Sequence, residues 1–215
     1  ACMDGGMLMP ELPEVETVAR TLAPQVCGRC IVAAQVLNAG TWQGDIPPEE
    51  VAKHTFRICG TGRRGKLLLI YLDNGVPLQE SFFNEIPAPD KAEDWPLHYT
   101  ATGWSKGSPA LEGQTPETIT ALAFHLRMTG RIFVYPAGTK PGSHTRAIWT
   151  LDDGRLMFFD DIRKFGQVRA ICSHELDKWK FWQNMGPEPL EISAGDFAVR
   201  MQSGRAVKSL LLDQN

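Results

Sequence analysis

Between residues 30 and 172, short apolar segments alternate with turn-forming residues, and this pattern restricts the possible folds more than any other feature. The segments are rich in β-branched and aromatic side chains, which is typical of strands. Two of the turns, Asp73-Asn74-Gly75 and Asp152-Asp153-Gly154, carry the signal of a hairpin. We therefore predict strands at 30–37, 55–59, 66–72, 122–126, 131–135, 145–151, 155–159 and 167–172.

Helical patterns flank this run of strands on both sides. Ahead of it, apolar residues at helical spacing predict a helix at about 13–26. Pro13 suits the first turn of that helix. Glu14 and Glu16 also lie in this turn, where the positive end of the helix dipole favours acidic side chains. Behind the strands, helices are predicted at about 175–183, 195–202 and 206–213. Strands in succession followed by helices predict an α+β chain: a β-sandwich with a flanking N-terminal helix, then a helical segment.

The same pattern divides the chain into three parts. Residues 1–9 form an N-terminal extension, and residues 10–185 form the sandwich domain. Within that domain, residues 79–119 are rich in proline and glycine and predict an irregular insertion. The segment Gly186-Pro187-Glu188-Pro189 marks a boundary, so residues 186–215 form a separate helical unit.

Composition places the chain among globular proteins, with 43% hydrophobic and 22% charged residues. The net charge of −3 argues against non-specific binding to nucleic acid. The basic residues are nevertheless clustered, and a local basic stripe can bind phosphates on an acidic protein. A solvated surface is the alternative for each cluster taken alone. The clusters are Arg63, Arg64 and Lys66, then Arg127 and Arg131, then Arg163, Lys164 and Arg169.

The five cysteines include a single CxxC pair, Cys27 and Cys30. No second pair follows at the spacing of a zinc site, so we expect no metal or redox role for this one. No apolar run has the length of a membrane span, and residues 1–9 lack the features of a secretory signal. We therefore expect reduced cysteines and a cytoplasmic protein.

The segment Pro10-Glu11-Leu12-Pro13-Glu14-Val15-Glu16 offers specific chemistry besides a helix start. An α-amino group has a pKa of about 7.7–8.0, so a chain beginning at Pro10 would present a partly unprotonated secondary amine. Such an amine can attack a sugar C1′ and form an iminium, and the neighbouring Glu11 can transfer protons. While residues 1–9 remain attached, the Pro10 nitrogen is an amide and cannot act as a nucleophile. An ordinary acidic helix N-terminus is the alternative interpretation.

Three further motifs follow in order along the chain. Each is a weak signal when taken alone: the alternative is a surface turn for the first, and core packing of Met128 for the second. The motifs are Gly62-Arg63-Arg64-Gly65-Lys66, His125-Leu126-Arg127-Met128-Thr129-Gly130 and Asp161-Ile162-Arg163-Lys164-Phe165-Gly166.

Together, these motifs resemble the formamidopyrimidine-DNA glycosylase and endonuclease VIII family, and the former more closely. The resemblance implies base-excision DNA repair: removal of oxidised purines and cleavage of the strand at the abasic site by β-elimination. It implies that Pro10 is the Schiff-base nucleophile, Glu11 the acid at the sugar and Lys66 the acid of β-elimination. Arg63 and Arg64 are then expected beside phosphates.

The resemblance also implies double-stranded DNA with an oxidised base or abasic site as the partner of a monomeric protein. Extruding a nucleotide leaves a gap in the duplex, which an apolar side chain can fill. Met128 is the implied plug, Arg163 reaches the orphaned base and Phe165 is a wedge in the opposite strand. His144 is implied to contact a phosphate, and Lys208 is expected to bind DNA.

In this family a helix–two-turn–helix unit and a four-cysteine zinc finger complete the protein. Residues 186–215 match only the start of that unit, and the finger has no counterpart among them. We therefore expect no cofactor in these 215 residues. Two alternatives stay open: an inactive remnant that binds damaged DNA, and a β-sandwich protein with no role on DNA.

Overall fold

The computed structural model describes residues 11–73, 99–100, 103–104, 119–172, 176, 178–186, 192–202, 204–207 and 210. Two predicted site residues, Pro10 and Lys208, lie outside the described residues, as does the predicted turn at residues 74 and 75. The helices are α1 (Leu12–Val26), α2 (Pro48–Lys53), α3 (Lys180–Gln183) and α4 (Ala194–Met201). The strands are β1 (Ile31–Val36), β2 (Trp42–Gln43), β3 (Arg57–Arg64), β4 (Leu67–Asp73), β5 (Tyr99–Thr100), β6 (Gly103–Trp104), β7 (Ala121–His125), β8 (Gly130–Tyr135), β9 (Thr145–Leu151), β10 (Leu156–Asp161) and β11 (Gln167–Ile171).

The predicted N-terminal helix is confirmed as α1. At its start, the Glu14 carboxylate accepts a hydrogen bond of 3.0 Å from the backbone N–H of Glu11. This bond satisfies one of the backbone donors that a helix leaves unpaired at its N-terminus. The apolar positions of α1 recur at helical spacing and are buried against the sheets, namely Val15, Ala19, Leu22, Ala23 and Val26.

Two main sheets form the predicted β-sandwich, which is therefore confirmed. The four-stranded sheet has the order β1-β9-β10-β8, and the five-stranded sheet has the order β2-β11-β7-β4-β3. All neighbouring strands in them are antiparallel except β2 and β11. The facing side chains form one core with α1, centred on Phe124, Trp149 and Phe159.

The five-stranded sheet is also covered on its outer face. There Leu67, Leu69 and Tyr71 of β4 form a second apolar cluster with Trp182 of α3. All seven residues of β4 are consequently buried. This explains why residues 67–72 of β4 are continuously apolar instead of alternating. No helix in the described part of the chain is long and apolar enough to cross a membrane.

The structure differs locally from the prediction in three segments. The helix α2 was not predicted, and the segment predicted as a loop at 39–48 contains a 3-10 turn, Ala39–Thr41, and the strand β2. Strand β3 continues to Arg64, beyond the predicted end at residue 59, because Gly60 and Gly62 hide its strand pattern. The insertion predicted as irregular includes the paired strands β5 and β6.

Candidate active site

The register of the five-stranded sheet brings three motifs to one edge. Leu67, the first residue of β4, pairs with His125, the last residue of β7. His125 also pairs with Gln167, the first residue of β11. The turn before β4, the turn after β7 and the loop before β11 therefore emerge side by side, although they are far apart in the sequence.

Lys66 and Glu11 form the centre of this edge. Lys66 occupies the tight turn between β3 and β4, where Gly65 adopts a φ of +51°. The Lys66 side chain is 7% exposed, and its Nζ lies 2.7 Å from Oε2 of Glu11. Glu11 is the N-cap residue of α1, directly before Leu12. The ion pair thus places an ammonium and a carboxylate within proton-transfer distance. The carboxylate belongs to Glu11, the residue directly after Pro10 in the chain.

The two arginines before Lys66 contact other side chains of the protein. Nε of Arg63 lies 3.2 Å from Oε2 of Glu16 on α1. The guanidinium of Arg64 lies 4.5 Å from the centre of the Trp182 ring, on the outer face of the sheet. These contacts fix the β3–β4 turn between α1 and α3.

Met128 lies at the centre of the turn between β7 and β8. Leu126 anchors one side of this turn in the core, and Arg127 adopts a positive φ of 53°. Such a conformation costs free energy for a residue with a Cβ and is found disproportionately at functional sites. Met128 is partly buried in this turn.

Arg163 links Met128 to Phe165. Its Nη1 donates to Sδ of Met128 at 2.8 Å, and its guanidinium lies 5.0 Å from the centre of the Phe165 ring. Phe165 is 54% exposed. Lys164, between them, adopts a positive φ of 61°. The structure therefore brings together the plug, the arginine and the wedge expected from the sequence.

His144 is an exposed residue directly before β9. Its backbone carbonyl accepts a hydrogen bond of 2.8 Å from the N–H of Asp161, at the start of the loop that carries Arg163. The backbone of His144 is thus fixed to this loop, while its imidazole is accessible to a ligand.

His125 is a site residue that the sequence did not single out. Burial, together with the positive charges of Arg127 and Lys66, lowers its pKa to about 4. The ring is therefore neutral near pH 7, and its Nδ1 accepts the N–H of Arg127 at 3.3 Å. The available signal was its place at the end of a strand, three residues before Met128.

The described residues contain no group of three or more His, Cys, Asp or Glu side chains that could hold a metal ion. Burial raises the pKa of Cys27 to about 11, so this thiol of the CxxC pair strongly disfavours the thiolate that binds zinc.

Comparisons of the sequence with known proteins identify relatives of this chain. A family model of the formamidopyrimidine-DNA glycosylase N-terminal domain matches residues 9–168. The formamidopyrimidine-DNA glycosylase of Nitratidesulfovibrio vulgaris is 36% identical over 96% of this chain and 70% of its own length. That of Chloroflexus aggregans is 35% identical over 96% of this chain and 60% of its own length.

Solved structures show the same similarity. The MutM (Fpg) protein of Thermus thermophilus is 28% identical, with a TM-score of 0.60 over 95% of this chain and 57% of that one. The Lactococcus lactis Fpg, solved in complex with DNA containing an abasic site, has the same fold, with a TM-score of 0.64 at 21% identity over 95% of this chain and 61% of that one. The chain spans 57–70% of the length of these four proteins. From residue 9 to residue 168 it matches one family model, and it therefore belongs to the formamidopyrimidine-DNA glycosylase family.

Proposed function

We propose that this protein is a base-excision DNA repair enzyme, a glycosylase for oxidised purines with an associated AP lyase activity. The observation that carries the proposal is the contact of 2.7 Å between Lys66 and Glu11. Glu11 directly follows Pro10 in the sequence. An amine nucleophile, a carboxyl group and a buried ammonium are the three groups that the two reactions need.

In the first reaction, the Pro10 amine attacks C1′ of the damaged nucleotide, in a chain that begins at this residue. A bond forms between nitrogen and C1′ while the bond from C1′ to the base breaks. The base leaves with its bonding electrons and takes a proton from water. Glu11 moves the proton of the Pro10 nitrogen to O4′ of the deoxyribose, so that the bond from C1′ to O4′ breaks and the sugar ring opens. The product is an iminium that links the protein covalently to the sugar.

In the second reaction, the iminium acidifies the proton on C2′. Loss of this proton breaks the bond between C3′ and its oxygen, and the strand is cleaved by β-elimination. We propose Lys66 as the acid for the departing oxygen, because its ammonium is held at the site by Glu11. Hydrolysis of the iminium then releases the Pro10 amine.

The proposed partner is double-stranded DNA with an oxidised base or an abasic site, bound by a monomer. Arg163 contacts both Met128 and Phe165 at the site edge, and the three side chains can fill the gap left by an extruded nucleotide. His144 offers an exposed imidazole for a phosphate. Lys208 is a further proposed DNA contact. We also propose that these 215 residues need no cofactor and act in the bacterial cytoplasm, on the nucleoid.

Borohydride trapping on an oligonucleotide with one abasic site tests this proposal. Reduction of the iminium should link a chain that begins at Pro10 to the DNA covalently. A chain in which Ala1 to Met9 precede Pro10 should give no such adduct, since its Pro10 nitrogen is acylated. Equal trapping by both forms would assign the nucleophile to a lysine such as Lys66.

The acylated Pro10 nitrogen also favours a second candidate, a protein that binds damaged DNA without cleaving it. In that case neither form is trapped, yet both bind an abasic-site duplex with an affinity that falls as salt is raised. Absence of both trapping and binding would contradict both candidates.

A further inference from the structure

The carboxylate of Asp161 connects the loop that carries Met128 to the loop that carries Arg163 and Phe165. Asp161 is the last residue of β10 and is 1% exposed. Its Oδ1 accepts hydrogen bonds from Oγ1 of Thr129 and, at 3.2 Å, from the N–H of Arg163. Its Oδ2 accepts the N–H of Gly166 at 2.6 Å. One buried side chain thus contacts both loops.

Thr129 completes the connection between the loops. Its Oγ1 donates to Asp161 and also accepts the N–H of Arg163 at 3.2 Å. Thr129 directly follows Met128, and Arg163 is the residue whose guanidinium contacts the Met128 sulfur. The two loops are therefore joined both at their base and at their tips.

Three hydrogen-bond donors hold the side chain of Asp161 at a fixed position: the Thr129 hydroxyl and the N–H groups of Arg163 and Gly166. Arg146, which is 7% exposed, donates through Nε to the Asp161 carbonyl at 2.7 Å and places a positive charge nearby. A Cβ on Gly166 would lie 3.1 Å from Oδ2 of Asp161 and 2.5 Å from the Phe159 ring, so the close approach needs a glycine.

We infer that Asp161 is a positioning residue that holds the two loops as one rigid unit, so that Met128 and Phe165 enter damaged duplex DNA together. This inference rests on the proposed function. Asp161 is too deeply buried to contact DNA and acts through the two loops. Ordering them before binding reduces the entropy lost when the side chains fill the gap. The benefit is therefore confined to duplex DNA, where an extruded nucleotide leaves a gap.

Two substitutions test the inference in a chain that begins at Pro10. Thr129→Val keeps the side-chain shape and removes the hydroxyl group between the loops. Asp161→Asn keeps the shape but turns an NH2 group toward one of the donors. The matched control is Thr120→Val, which removes a buried hydroxyl whose bond of 3.2 Å to the Ile171 carbonyl lies at the opposite end of β7.

The first measurement is hydrogen exchange of the Arg163 and Gly166 amides by NMR without DNA. We expect exchange at these amides to become about tenfold faster in Thr129→Val and Asp161→Asn, since each loses a hydrogen bond to a charged group. The control should leave both amides unchanged. Unchanged exchange in both test variants would overturn the inference, whatever the protein does to DNA.

The second measurement compares AP lyase rates on duplex and single-stranded abasic DNA, with 2-aminopurine beside the site as a reporter of unstacking. We expect about a tenfold loss on the duplex together with a smaller fluorescence rise, and less than about a twofold change on the single strand. Equal losses on both substrates would overturn the positioning role. A wild-type chain that is not trapped by borohydride contradicts the proposed function instead, and the exchange rates still decide whether Asp161 joins the loops.

Discussion

Lys66 and Glu11 form an ion pair that joins the turn between β3 and β4 to the N-cap residue of α1. Oε2 of Glu11, the atom that faces Lys66, is buried, although the side chain as a whole is 32% exposed. One oxygen of the carboxylate is thus held against the ammonium while the rest of the side chain is accessible to a substrate. In the proposed reaction, both groups can therefore act on the same sugar.

Removing the Lys66 ammonium should slow strand cleavage whatever the DNA structure. We expect Lys66→Ala to reduce the β-elimination rate about 10²–10⁴-fold on duplex and single-stranded abasic DNA alike, which is the usual contribution of a positioned acid. The measurement is single-turnover cleavage by a chain that begins at Pro10. Lys53→Ala, on the surface helix α2, is the control and should cleave at the wild-type rate. Full activity of Lys66→Ala would exclude Lys66 as the acid.

Truncating the plug and the wedge should affect duplex DNA alone. We expect Met128→Ala and Phe165→Ala each to lose about 1–3 kcal/mol of binding or activity on an abasic duplex, the scale measured for stacking side chains. Lyase activity on single strands should be retained, because little stacking has to be replaced there.

Thermal unfolding of the same variants provides the control for these two substitutions. Phe165 is more than half exposed, so its truncation should barely lower the melting temperature. Equal losses on both kinds of DNA, accompanied by a lower melting temperature, would show that the two residues serve core packing.

His125 should make the fold sensitive to acid. Its pKa is lowered from 6.5 to about 4 by burial and by the charges of Arg127 and Lys66, so the unfolded chain binds the proton more tightly than the folded one. Its contribution to stability is complete above pH 6.5 and is lost progressively as the pH falls toward 4. The melting temperature should therefore fall more steeply over this window in the wild type than in His125→Gln, which has no titratable ring. Parallel curves would contradict the assignment.

These 215 residues should bind no stoichiometric zinc. Cys27 and Cys30 form the single CxxC pair, whereas structural zinc takes four ligands. Elemental analysis of the purified 215-residue chain tests this prediction. One zinc ion per chain, retained after dialysis against a weak chelator, would contradict it.

Sequence patterns were sufficient for the sandwich because hydrophobic segments and turn residues are local signals. The strands at 131–135 and 145–151 are examples whose observed bounds match to within one residue. The contacts of the site are not local. Nothing in the residues around Asp161 indicates that its carboxylate reaches Thr129, because that contact depends on the register between β10 and β8.

The same limit explains why His125 was missed while Met128 was not. A methionine in a tight turn is unusual by itself, whereas a histidine at the end of a strand becomes notable only beside Lys66. The helix α2 was missed for another reason: it begins at Pro48 within a segment whose glycines and prolines indicate a loop. Its Val51 is buried in the core, and that tertiary contact stabilises a helix too short to form alone.

The positive φ angles of Arg127 and Lys164 connect the stability of the fold to its activity. Each costs about 1–2 kcal/mol relative to an unstrained backbone, and glycine would relieve that cost. Both residues, however, lie next to a side chain that we propose enters DNA, and glycine would also widen the range of conformations open to each turn. Part of the folding free energy is therefore held as strain in the two loops, and evolution toward greater heat resistance would loosen the loops if it acted at these positions.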